Sequence, residues 1–115
     1  MQYLLMVYGN ETEMLKAPKE ASSQMLGAYV AYTEALRKAG VLVGSNRLRP
    51  TSEATTVRIA GGKQSVLNGP FAETKEQLGG YYLIEAADLD AALSWAARCP
   101  GAQHGAIEVR PVWAM

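Results

Sequence analysis

The stretch "QYLLMVY", residues 2–8, carries apolar side chains at both odd and even positions. Successive side chains of a strand point to opposite faces, so a strand with one wet face alternates apolar with polar. This one does not, and both of its faces need cover. The segment therefore predicts a sheet with helices on one side and more protein on the other. It lacks a basic start and a small-residue cleavage pattern and is too short to span a bilayer, so it reads as a strand, without an export signal or membrane anchor.

Outward from this strand, "GNETEMLKAPKEA" (9–21) reads as a loop. Met25, Tyr29, Tyr32 and Leu36 then recur at three- and four-residue steps and form one apolar stripe of a helix. Ser22 or Ser23 is expected to cap its start. Arg37 and Lys38 fall in its last turn, where the dipole favours cations, and Gly40 follows where a left-handed residue is needed. "VLVGSNRLRP" (41–50) predicts a strand ending at Pro50. "TTVRIAGGKQSVLNG" (55–69) predicts a hairpin around Gly61 and Gly62, with Val57 and Ile59 facing inward. "YYLIEA" (81–86) is a further strand. Asp88 or Asp90 opens a second helix through Leu89, Leu93 and Ala96, which Pro100 ends, and "AIEVRPV" (106–112) alternates as a half-wet strand.

Strand, helix, strand, hairpin, strand, helix, strand is a split pair of strand-helix-strand units. It predicts an α+β, ferredoxin-like fold, an antiparallel sheet with two helices on one face. The other face lacks cover, and a second subunit is the cheapest source, so a homodimer is expected. The 115 residues suffice for one domain, 1–115, with a core of its own. A hydrophobic share of 49% with 19% charged residues reads as soluble and globular. Eleven basic residues balance eleven acidic ones, so the broad positive field of non-specific nucleic-acid binding is missing. Cys99 is the single cysteine, which excludes an intrachain disulfide and suits a reducing cytoplasm.

Chemistry is sparse. His104 is the one histidine and Cys99 stands alone, so no metal site and no cofactor is expected. At a helix C-terminus Cys99 reads as a small apolar residue rather than a nucleophile. "GGKQS" (61–65) lies in the hairpin and reads as a turn, not a phosphate loop. Arg47 and Arg49 can hold an anion, or be solvated or paired. "NGPF" (68–71) is a turn by composition, from which Phe71 is expected to anchor the loop into the core. Glu73, Lys75 and Glu76 follow as a group that can hold a polar ligand or only water and one another. Gly79 and Gly80 permit close backbone approach before Tyr81 and Tyr82 enter the sheet.

"NGPFAETKEQLGGYYLIEA" (68–86) resembles the signature "DGPFAETKE" of the DGPF branch of the YCII-related family, and the resemblance extends through "AYTEALRKAGVLVG", "TTVR", "DLDAALSWAARCPGA" and "IEVRPV". It implies a dimeric α+β barrel. It also implies a regulatory setting, because some relatives are grouped with alternative sigma factors, while another branch carries a histidine and aspartate pair proposed for acid-base work. Asn68 stands where the signature has Asp, and an amide keeps a turn but cannot act as a base.

The resulting expectation is a homodimer binding a small polar or aromatic molecule in a cleft between the sheet and the 68–80 loop. Glu73 is the candidate acid-base group or acceptor, and His104 is the second catalytic candidate. Lys75 and Arg47 would hold anionic groups, Asn68 would sit at the turn, and Phe71 with Tyr82 would form an apolar wall. The rival reading is a regulatory module that docks on transcription machinery without chemistry.

Overall fold

The apolar strand becomes the centre of the sheet. In the computed structural model, which describes residues 1–114, β1 (Gln2–Gly9) lies between β5 (Gln77–Glu85) and β6 (Ala106–Pro111), with β2 (Leu42–Arg47) outside β5. All three pairings are antiparallel, and Leu5 stands opposite both Tyr82 and Val109. Two helices, α2 (Lys19–Lys38) and α3 (Leu89–Arg98), cross over from β1 to β2 and from β5 to β6. This is the interleaved ferredoxin-like α+β topology, with a hairpin, β3 (Thr55–Ala60) and β4 (Lys63–Asn68), inserted between its two halves.

One face of the sheet meets the helices. Tyr3, Leu5, Tyr82 and Ile84 pack there with Tyr32 and Leu36 of α2 and Ala92, Ala96 and Cys99 around α3. Tyr32 binds this layer together: its hydroxyl donates to the Trp95 carbonyl at 2.7 Å, and its ring meets that of Tyr82 edge-on at 5.2 Å. On the opposite face Leu4, Met6, Tyr81 and Leu83 are only half-buried, with Leu4 opposite Leu83 and Met6 opposite Tyr81. The doubly apolar strand has found one cover of the two it needs.

The α2 stripe turns inward as its spacing requires, and the helix ends in a Schellman motif. Gly40 adopts φ +73°, its N–H donates to the Arg37 carbonyl, and the Val41 N–H donates to that of Leu36. The start differs from expectation. Pro18 occupies the N-cap position, Ser22 and Ser23 lie inside the helix, and no side chain caps it. Proline at this boundary presets the chain direction and ends whatever precedes it. The segment read as a loop contains a short helix, α1 (Glu11–Lys16), capped by the Asn10 side chain on the Glu13 N–H at 3.1 Å. Asn10-x-x-Glu13 has the spacing of a capping box, with the bond from the Glu13 N–H to the Asn10 side chain formed.

Asp88 caps α3 through the Ala91 N–H. Its buried stripe is Ala92 and Ala96, while Leu89 and Leu93 are exposed. Small residues face inward, and Tyr32 of α2 spans the space between the two helices to reach Trp95. The hairpin departs furthest. Gly61 and Gly62 both take positive φ, as a type I′ turn demands. Yet the ribbon pairs only with itself, and Val57 and Ile59 are 56% and 72% exposed rather than inward. Among the described residues no core lies against it.

Candidate functional site

The 69–77 loop closes one side of a cleft of about 500 Å³ whose other walls are α1 and a short 3-10 turn, Thr51–Glu53. Glu11, at the first turn of α1, organises it. Its carboxylate accepts from the Thr51 N–H at 3.1 Å and from the Thr51 hydroxyl, and its own N–H donates to Gln77 Oε1 at 3.0 Å. Gln77 in turn donates through Nε2 to the Thr74 carbonyl at 2.6 Å. One residue thus ties the start of α1 to the loop, and sequence reasoning missed both Glu11 and Gln77. The Asn10-x-x-Glu13 cap was the available signal, because it places Glu11 at a helix start.

At the other end, β4 runs into the loop through Asn68 and Gly69. The Gly69 N–H donates to the Ala54 carbonyl at 2.7 Å, and its carbonyl accepts from the Thr56 hydroxyl at 2.8 Å. Gly69 holds φ +142°, a conformation side-chain-bearing residues rarely adopt. Asn68 and Glu73 both line the cleft. The lining offers two carboxylates, Glu11 and Glu73, the hydroxyls of Thr12, Thr51, Ser52 and Thr74, and no lysine or arginine. Such a cavity is rich in acceptors and suits a molecule that donates hydrogen bonds.

The remaining candidates do not converge on it. Phe71 is 71% exposed and lies under the Arg58 guanidinium, 4.7 Å from its ring centre, so it does not anchor the loop in the core. A flat hydrophobic ring stacked by a cation is stable without burial. Lys75 is exposed on the loop and outside the lining. Arg47 is exposed at the end of β2, and Arg49 pairs with Glu53 at 3.0 Å. Tyr82 faces the helices, its hydroxyl 2.8 Å from that of Thr33, so it forms no wall with Phe71. Gly80 does permit close approach, since a Cβ there would fall 2.9 Å from the Asn46 carbonyl oxygen.

His104 lines a separate groove of about 710 Å³ between α2 and the 98–104 segment, with Met25, Tyr32, Arg98 and Cys99. Glu73 and His104 therefore share no cavity. Burial raises the Cys99 thiol above its ordinary pKa, and it likewise raises the Tyr29, Tyr32 and Tyr82 hydroxyls. A thiol held in that state is a poor nucleophile. Among the described residues, no group of three or more His, Cys, Asp or Glu side chains is placed to hold a metal ion, and no helix is long and apolar enough to cross a membrane.

Comparison with known proteins agrees with the architecture. The model of the YCII-related domain matches residues 1–115. Uncharacterized protein R00369 of Rhizobium meliloti (strain 1021) is 40% identical over 114 residues, covering 97% of this chain and 92% of that protein. Among solved structures, 5-chloro-2-hydroxyhydroquinone dehydrochlorinase (TftG) from Burkholderia phenoliruptrix AC1100, in complex with 2,5-dihydroxybenzoquinone, superposes with a TM-score of 0.53. It shares 16% identity, with 98% of this chain and 94% of that chain covered. At that identity the likeness speaks to the fold.

Proposed function

The chain belongs to the YCII-related domain family, and from that premise we propose that it works as a homodimer binding a small hydroxylated aromatic or polar molecule in the cleft beneath the 69–77 loop. The observation that carries this reading is the acceptor-rich lining in which Glu73 and Asn68 both take part. Glu73 makes no ion pair among the described residues, so its carboxylate is available to accept a phenolic or alcoholic proton, as ligand anchor or as general base. Glu11, already engaged by Thr51, holds the cleft in shape. The dehydrochlorinase of similar fold is named for a hydroxylated aromatic and was solved with another, which adds to the choice of ligand class. Neither Lys75 nor Arg47 enters this reading, and the ligand needs no anionic group.

A thermal-shift series with hydroquinones and dihydroxybenzoquinones tests it, since a ligand selective for the folded state raises the midpoint. Wild type and Lys75→Ala should both shift, and Glu73→Gln should not. No shift with any hydroxylated aromatic, or one undiminished in Glu73→Gln, would overturn the assignment.

A further inference from the structure

A second concavity lies on the helix side of the molecule. The groove between α2 and the 98–104 segment, about 710 Å³, has the size of a small-molecule site, and it shares no lining residue with the cleft beneath the 69–77 loop. Its long wall is α2, where Ala28, Ala31 and Ala35 hold the helix surface back while Met25 and Tyr32 supply apolar area. The facing segment is firmly seated: a Cβ at Gly101 would fall 2.5 Å from the Tyr29 hydroxyl, and the Gly101 carbonyl accepts from the Gly105 N–H at 2.8 Å. The lining carries Arg98 and His104 and no carboxylate. Arg98 makes no ion pair among the described residues. Its guanidinium lies over the Trp95 ring, 4.3 Å from the ring centre, and stacking of this kind orients the plane while leaving the N–H donors at its edge unused. A guanidinium that is oriented, unpaired and set in the wall of a groove is a preformed contact for an anion.

We propose that this groove is a second ligand site and that it takes a monocarboxylate with an apolar body. The carboxylate accepts from the free N–H donors of Arg98, and the body lies along Met25, Ala28 and Tyr32. One guanidinium balances one negative charge, which favours a carboxylate over a phosphate monoester, whose charge near neutral pH is about −1.5 to −2. The Gln24 and Gln103 amides on the lining add neutral donors. The carbonyls at the end of α3, which would repel an anion, are already occupied: that of Trp95 accepts from the Tyr32 hydroxyl at 2.7 Å and that of Ala96 from the Cys99 N–H at 3.1 Å. The groove thus selects in the opposite sense to the cleft, whose lining has two carboxylates and no lysine or arginine. The two sites sort their ligands by charge, and the groove depends neither on the homodimer nor on the ligand of the cleft.

Titration of the full chain with octanoate, followed by the backbone amide NMR signals, provides the test. Octanoate should shift the amides of Ala28, Ala31 and Cys99 and leave those of the 69–77 loop in place. Arg98→Gln should bind it about 10- to 100-fold more weakly, the loss of a charge-assisted contact, and Glu73→Gln should bind it as wild type does. Two further ligands on wild type give a check that depends on no variant: octanol and octyl phosphate should both bind more weakly than octanoate. No shift at millimolar octanoate, shifts confined to the 69–77 loop, or undiminished binding in Arg98→Gln overturns the site. Octanol binding as tightly as octanoate overturns recognition of the anion, and octyl phosphate binding more tightly overturns the choice of a carboxylate. Each of these results leaves the reading of the cleft standing, because that reading fails only on the hydroxylated aromatics.

Discussion

The main sheet and the hairpin are written in similar residues and meet opposite environments. Leu5 and Ile84 are fully buried because two helices return over them, whereas Val57, Ile59 and Val66 stand more than half exposed. Alternation along a strand says which side chains share a face. It does not say whether the chain has anything left to place against that face.

The largest effect that would sharpen this contrast is in the core. Leu36→Ala removes a side chain with no exposed surface and should cost about 3 kcal/mol in denaturant unfolding, at any protein concentration. Ile59→Ala, at a side chain 72% exposed, should cost less than about 0.5 kcal/mol. Equal losses at the two sites would erase the difference between the regions.

Next in size is the tyrosine layer beneath the sheet. Burial holds the Tyr29, Tyr32 and Tyr82 hydroxyls above their ordinary pKa, so the unfolded chain loses these protons first as pH rises. Stability from these groups is then complete below about pH 10 and falls above it. Thermal midpoints followed with phenolate absorbance should drop together in that range. Tyr32→Phe, which loses the bond to the Trp95 carbonyl, should cost about 1 kcal/mol at neutral pH and make the alkaline drop shallower. An unchanged alkaline profile would mean that the helix layer does not control it.

Smaller effects separate residue from backbone where the hairpin joins the cleft. The Asn68 side chain has no hydrogen-bond partner among the described residues, while Thr56 and Ala54 hold Gly69 by its backbone. Thr56→Val should therefore cost about 1 kcal/mol, and Asn68→Ala and Asn68→Asp each less than about 0.5 kcal/mol, measured by chemical denaturation. If Asp alone strengthens binding of a hydroxylated aromatic at unchanged stability, position 68 acts on the ligand through its charge. The smallest shift should be favourable: a Cβ at Gly27 in α2 meets open space, so Gly27→Ala should stabilise by about 0.5–1 kcal/mol.

Much of the framework was legible locally. Met25, Tyr29, Tyr32 and Leu36 announce α2, Gly40 its end, Asp88 the start of α3, and Ile107 and Val109 the inward face of β6. The cleft was legible only in part. The "NGPFAETKE" signature marked Asn68 and Glu73, which line one cavity, but Tyr82 and His104 went elsewhere because the face of a strand and the end of a helix decide which cavity a side chain enters. Glu11 was missed because α1 has six residues and no apolar periodicity to announce it. Along α3 it is Ala92 and Ala96 that are buried, with Leu89 and Leu93 left exposed, because the helix's placement over the sheet and not the size of its side chains selects the buried stripe.

By itself the sequence determined the strands, the two long helices, their order and the interleaved topology, since capping, turn chemistry and period depend on neighbours within a few residues. Only the tertiary structure decided that the hairpin stands clear of the sheet, that Phe71 lies under Arg58 rather than in the core, and that Glu11, Asn68 and Glu73 surround one cleft. Those outcomes depend on which surfaces compete for the same space. Local patterning fixes the facing of a side chain, and packing among distant segments settles what it meets.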